Sequence, residues 1–279
     1  MRRSMTLRTV LSVLAAVALA NTPALAQWFK YPTPGAPRTK DGKVNLSAPA
    51  PKMADGKPDF SGIWITNNPA CPGGVNPETH TCGVELPMGR HGIDIAADVS
   101  GGLPVQPWLA AKVKERTAND AKDDPHVRCF PDTFLRAYSM PHLIKFVQVS
   151  NLLVVLNEMN GLYRQVFIDG RPLPKEVNLP SWQGYSVARW EGDALVIDTV
   201  GFRDGLWLDW HGNELSSQAK VRERITRPDY GHLDVEVTVD DPKSYTKPWT
   251  TKLREIIATD TELVDEICLE NEQSAQRMR

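Results

Sequence analysis

The stretch LLVVLNEMNGLYRQVFIDGRPLPKEVNLPSWQGYSVARWEGDALVIDTVGF, residues 152–202, decides the fold. Asn160-Gly161, Asp169-Gly170 and Gly192-Asp193 each separate runs rich in Val, Ile, Leu and aromatic residues. Such dipeptides accept the positive φ that tight hairpin turns require, so the runs are read as neighbouring short strands with a Pro-rich spacer between the second and third. Period-two alternation then places Leu152, Val154, Leu156 and Glu158 on one face of the first strand, and Leu162, Arg164, Val166 and Ile168 on one face of the second. The run from Ala194 to Val200 is apolar on both sides and carries Asp198 beside Val196 and Val200.

Outward from this stretch, further strands are expected at Phe60–Ile65, Ile144–Ser150, Ser217–Thr226, Leu233–Val239, Thr250–Ala258 and Glu262–Cys268, ten strands in all. Short connections and no intervening helices predict an all-β fold, an antiparallel up-and-down β-barrel of lipocalin or calycin type. Gly62 in the first strand leaves room for the Trp64 ring against the backbone. Between the first strand and the others, residues 67–143 read as a long loop, interrupted by one amphipathic helix that starts near Pro107 and stops before Asn119-Asp120. That helix is expected to lie across one opening or side of the barrel.

The N-terminus carries Arg2, Arg3 and Arg8, an apolar run from Val10 to Ala20, and Ala24-Leu25-Ala26 before Gln27. This pattern predicts a cleaved secretory signal over residues 1–26, and the apolar run is too short to span a bilayer. Residues 27–58, punctuated by prolines, read as a linker or surface strap, and residues 59–279 as one barrel domain whose main meander covers 144–269. Without the three leader arginines, 29 basic side chains face 34 acidic ones, a formal charge of −5. No basic tract or second long apolar segment remains, which speaks against nucleic-acid partners and transmembrane segments. The expected compartment is the periplasm or the extracellular medium. Cys71, Cys82, Cys129 and Cys268 are therefore read as disulfide-forming, in any of three pairings. A local Cys71–Cys82 bridge would leave Cys129 and Cys268 to staple the two ends of the strand region.

Charges that break apolar faces are the informative residues. Glu223 shares a face with Ala219, Val221 and Ile225, so Glu158, Arg164, Asp198 and Glu223 are all expected to point inward, with Arg164 as the hub of a network. Three acids against one Arg leave a carboxylate uncompensated, which is suited to acid–base chemistry. His142 and His211 fall in loops that flank a mouth, the second beside Trp207. Tyr163, Arg171, Trp182, Tyr185 and Trp190 concentrate around the Pro-rich spacer and suit a sugar, phenolic or lipid ligand. Asp240-Asp241-Pro242 reads as a capped turn rather than a cation site. No G-x-S-x-G, P-loop, dinucleotide fingerprint or HExxH is present, and no CxxC or close His pair supports zinc, so neither cofactor nor metal is expected.

The motifs RQVFIDGR (164–171), WQGYS (182–186), WEGDALVIDT (190–199), RER (222–224), DDP (240–242) and the terminal CLEN (268–271) resemble those of a large family of uncharacterised exported bacterial proteins. The resemblance spans Asp59 to Asn271 and implies export without implying an activity. The G-x-W and W-E-G-D-x-L elements are more loosely similar to lipocalin-like barrels, which mostly bind small apolar ligands. Two functions follow as expectations. One is an exported barrel holding a small, partly apolar molecule in a cavity with a few charged residues. The other is a cofactor-independent lyase, isomerase or hydrolase in which Glu223, Glu158 or Asp198 works with His211 or His142.

Overall fold

The computed structural model describes residues 31–66, 95–96, 99–140, 142–209, 211–264 and 266–268. The signal segment, Cys71 and Cys82, and Trp210 lie outside the described residues. In chain order the strands are β1 Gly62–Thr66, β2 Ile144–Val149, β3 Leu152–Asn157, β4 Tyr163–Phe167, β5 Tyr185–Glu191, β6 Ala194–Val200, β7 Leu206–Trp207, β8 Glu214–Leu215, β9 Lys220–Thr226, β10 His232–Asp240 and β11 Trp249–Ala258. Nine of them close into a barrel in chain order, β11 returning to pair with β1, while β7 and β8 form a separate ribbon.

Nine is an odd number, and that has a geometric consequence. Strand directions cannot alternate all the way around an odd ring, so at least one neighbouring pair must run parallel. That pair is β4–β5, where Val166 lies opposite Ser186 and Phe167 opposite Val187; every other pair in the ring is antiparallel. A parallel pair needs a crossover that returns the chain to the end from which it started, and residues 168–184, the Pro-rich spacer, make it. The crossover is held tightly where it meets β6. A Cβ on Gly201 (φ 80°) would lie 2.6 Å from Val177, and one on Gly184 (φ 66°) would lie 2.7 Å from Thr199.

The all-β closed barrel of the sequence reading is thus present, with two corrections. The meander contains one parallel pair, and Glu262–Cys268 does not form a strand; Glu266 makes a single isolated bridge to Met159. The Trp64 ring does pack over Gly62, and its Nε1 donates to Phe60 O, but a Cβ at Gly62 would meet the ring at an ordinary contact distance of 3.5 Å; its tighter neighbour is Ile257 at 3.3 Å, and the φ of 148° favours glycine.

Both barrel ends are covered. The lower end, at the β5–β6 turn, meets the strap: Tyr230 N donates to Ala48 O and Gly231 N to Leu46 O, while buried Phe60 stacks on Trp190 at 5.6 Å. The upper end, at the β10–β11 turn, carries helix α1, Pro107–Ala118, close to its expected limits. Its Trp108 Nε1 donates to Lys243 O, and Lys112 and Arg116 pair with Glu214 at 3.1 and 2.7 Å. A short helix α2, Phe134–Ala137, follows and delivers buried Phe134, Leu135 and Tyr138 to the core.

Cys129, just before α2, is bonded to Cys268, closing a loop of 139 residues around most of the barrel. Closing so long a loop restricts the unfolded chain strongly. Replacing both cysteines with alanine is expected to lower unfolding free energy by about 2–5 kcal/mol in urea titrations. An unchanged midpoint would show that the bridge does not constrain the unfolded ensemble.

Candidate functional site

Alternation on four neighbouring strands brings Arg164 (β4), Ser186 (β5), Thr199 (β6) and Glu223 (β9) to the barrel interior. Arg164 Nη1 donates to Glu223 Oε1 at 3.1 Å and Nη2 to Oε2, while Nε reaches Ser186 Oγ at 3.1 Å and Nη2 also reaches Thr199 Oγ1 at 2.9 Å. From above, α2 lays the Phe134 ring 3.5 Å from the guanidinium, and Tyr138 Oη donates to Glu223 Oε1 at 2.9 Å. Arg164 and Glu223 are 2% and 0% exposed, so removing either partner would strand a charge in a dry interior. Arg164 is the predicted hub, and its carboxylate is Glu223.

The other two predicted inward acids point elsewhere. Asp198 lies on the outer face, accepting from Arg189 at 2.7 Å and Arg222 at 2.7 Å. Partial burial pushes its carboxyl up, but hydrogen bonds from Arg222 and Arg189 outweigh that and hold it below the ordinary carboxylate value. The sequence misleads here because the crossover packs against β6 from outside, as the Val177–Gly201 approach shows, so that strand is apolar on both faces. On β3 the buried row is Leu153, Val155 and Asn157 rather than Leu152, Val154 and Leu156. Glu158 lies past the strand end and accepts from Leu143 N at 2.9 Å.

A carboxyl that the sequence reading did not single out takes their place. On β11, Glu255 shares the inward row with Trp249, Thr251, Leu253 and Ile257, and it stands beside Thr66 of β1 and Leu233 of β10. It is 1% exposed, and neither carboxyl oxygen has a hydrogen-bond partner among the described residues. Burial pushes its pKa well above the ordinary 4.5, which favours the protonated form. Tyr138 couples the two parts of the interior. Its phenol is held well above its ordinary value first by burial and then by Glu223, against the opposing pull of Arg164, with Glu255 adding to the rise.

The remaining candidates are dispersed. His142 sits at the upper rim, its Nδ1 3.4 Å from Glu266, and burial lowers its pKa. A second rim histidine, His126, pairs with Asp132 at 2.7 Å. His211 donates its backbone N–H to Asp209 in the β7–β8 turn. Neither His142 nor His211 forms a hydrogen bond or ion pair with Glu223 or Glu255 among the described residues.

The predicted aromatic lining divides into separate neighbourhoods. Tyr163 is 63% exposed. Arg171 stacks on Phe167, pairs with Asp169 and donates to Tyr185 Oη on the outside. Trp182 stacks on Phe130, Trp190 on Phe60, and Trp207 lies under Arg116. Asp241 caps its turn by accepting from Lys243 N at 3.2 Å, and ties the turn to Ser216, whose N and Oγ both donate to it at 2.7 Å. Among the described residues, no group of three or more His, Cys, Asp or Glu is arranged to hold a metal. No protein-family model and no curated protein matches the chain.

Two outcomes follow from this geometry. Arg164→Met leaves Glu223 buried without its cation and is expected to destabilise the fold by about 3–5 kcal/mol in urea melts. Glu255 gives a pH signature. Its folded pKa is raised, so stability is greatest below the ordinary value of 4.5 and is lost as pH climbs toward the folded pKa. The decline is at most about 1.4 kcal/mol per pH unit. Glu255→Gln should remove this decline, and parallel wild-type and variant profiles would contradict a neutral, buried Glu255.

Proposed function

We propose that the protein is an exported barrel that binds a small, partly apolar molecule in its lumen, with the Glu255 carboxyl as the polar anchor. One observation carries this reading: both oxygens of a fully buried carboxyl lack hydrogen-bond partners among the described residues. An unsatisfied buried polar group costs about 1–3 kcal/mol, and an apolar residue of similar size would relieve that. Strain of this kind is characteristic of functional positions, where a ligand supplies the missing partner. A neutral carboxyl both donates and accepts, so it favours an alcohol, phenol or amide over a cation. Leu233, Leu253 and Ile257, core side chains beside Glu255 on β10 and β11, are the apolar groups the rest of the molecule would meet.

Both ends of the lumen are closed by chain segments rather than by barrel strands, so a ligand enters by displacing one of them. Thr251, on the same inward row as Glu255, donates to Ile95 O at 2.8 Å, so buried Ile95 covers that side of the lumen. The Cys129–Cys268 bridge supports a periplasmic or secreted location, as does the lack of a helix among the described residues long and apolar enough to cross a membrane.

A second reading, catalysis, is favoured by Tyr138, which donates to Glu223 and lies close enough to Glu255 for the two to interact electrostatically. In that reading Glu255 is the general acid, because Glu223 is already engaged by Arg164 and Tyr138. Native mass spectrometry of the protein purified from its own cell envelope, followed by denaturation and identification of any released molecule, tests the binding reading. A stoichiometric small molecule is expected in wild type and absent from Glu255→Leu, with the variant melting at a higher temperature. An empty wild-type protein, or a variant that retains the molecule, would overturn Glu255 as the anchor. Turnover abolished by Glu255→Gln with retained binding would favour catalysis.

A further inference from the structure

At the lower end of the barrel, far along the chain from Glu255's cover, Arg227 follows β9 and is 6% exposed. Its guanidinium lies between the rings of Trp64 and Tyr230, 4.8 and 5.3 Å from their centroids. Every hydrogen bond it makes goes to a backbone carbonyl: Nε to Asp229, Nη1 to Asp59 and Ser61, and Nη2 to Tyr230. Four of its five N–H groups are thereby used and one is left over. Among the described residues, no carboxylate lies within ion-pair distance of it, although Asp59 and Asp229 act on it through space. The nearest acids are committed elsewhere, Asp59 Oδ1 to Ser61 N, and Asp229 Oδ1 to Gly231 N and His232 Nδ1. Burial lowers the Arg227 pKa to about 10, which still leaves it a cation at neutral pH.

This cation lines a cavity of about 350 Å³ between the strap, the start of β1 and the end of β11. Pro34, Pro51, Ile63 and Ile257 form apolar walls, and Thr33 and Thr261 contribute hydroxyls. The other charges on the lining are Asp59, Lys145 and Glu262, the last two paired with each other at 3.2 Å. A buried guanidinium held in place by carbonyls, with a spare N–H and only the through-space charge of Asp59 and Asp229 opposing it, is a preformed site for an anion.

We infer that this cavity binds a small organic monocarboxylate, its head group on Arg227 and its short apolar tail against Pro34, Pro51, Ile63 and Ile257. A dianion such as phosphate is disfavoured, because Asp59 and Glu262 share the lining and only one guanidinium N–H remains to receive it. The site opens at the strap end of the barrel and shares Ile257 with the inward row of Glu255, but its anchor is Arg227 and it does not depend on the reading of Glu255.

Hexanoate is a suitable probe, with hexanol and hexylamine as controls of equal length, read by calorimetric titration and thermal shift of the full chain near neutral pH. Saturable binding of hexanoate alone is expected. Arg227→Met should weaken it by roughly thirtyfold or more, the effect of removing one side of a buried charge pair. Because Arg227 also gathers four carbonyls, that variant can fail for reasons of folding. Thr261→Trp fills the cavity without touching those bonds, and should abolish hexanoate binding while leaving the melting temperature of the unliganded protein close to wild type. Absence of saturable hexanoate binding, equal binding of hexanol, or undiminished binding by folded Thr261→Trp would each overturn the assignment and leave Arg227 as a structural staple only.

Discussion

A charge carried into a closed, dry barrel has to be neutralised there, since neither solvent nor salt can reach it. The interior meets this constraint in two ways. Arg164 and Glu223 neutralise each other across the sheet, with Ser186, Thr199 and Tyr138 filling the remaining donor and acceptor positions. At Glu255, where no cation pairs with the carboxyl among the described residues, burial instead raises the pKa and so favours keeping the proton. The first solution is complete in itself and ties β4, β5, β6, β9 and α2 into one unit. The second is electrically neutral but leaves two oxygens without partners, so one part of the interior is closed and another is chemically open.

Ring parity places these groups. The parallel β4–β5 pair sets Arg164 next to Ser186, and the crossover it requires covers the outside of β6, so Asp198 is drawn to Arg189 and Arg222 while Thr199 faces Arg164. The strap and the upper segments then cover the two ends, each contributing an aromatic residue to the core, Phe60 below and Phe134 above. Arg227 belongs to the lower closure, where it ties the segment leading into β1, through Asp59 and Ser61, to the β9–β10 turn, through Asp229 and Tyr230, and forms no ion pair among the described residues.

Much of this arrangement is legible in the chain. Turn dipeptides and alternation locate the hairpins, proline and asparagine bracket α1, and Glu223 and Arg164 each break an apolar row that proves to be inward. The parallel pair is hidden by a specific error. Glu262–Cys268 has the alternation of a strand, and counting it makes ten, a number that closes without any parallel pair. Asp198 is hidden because alternation cannot say which face is the core when a distant segment covers the other. Glu255 was available to the same reasoning, since it breaks the row of Trp249, Leu253 and Ile257 just as Glu223 breaks its own. What alternation cannot supply is that no partner arrives from the neighbouring strands or from α2. The histidines and aromatic residues that look like one mouth in sequence are separated by the barrel's circumference and length.

The account rests on Glu255 being a neutral carboxylic acid inside the folded protein. Infrared difference spectroscopy of wild type against Glu255→Gln near neutral pH measures this directly. The account predicts a carbonyl band of a protonated carboxylic acid in wild type that the variant lacks and that persists as the surrounding solution is taken through the ordinary range of carboxylate titration. A carboxylate band at that position would mean that Glu255 is charged and partnered, and would contradict the claim.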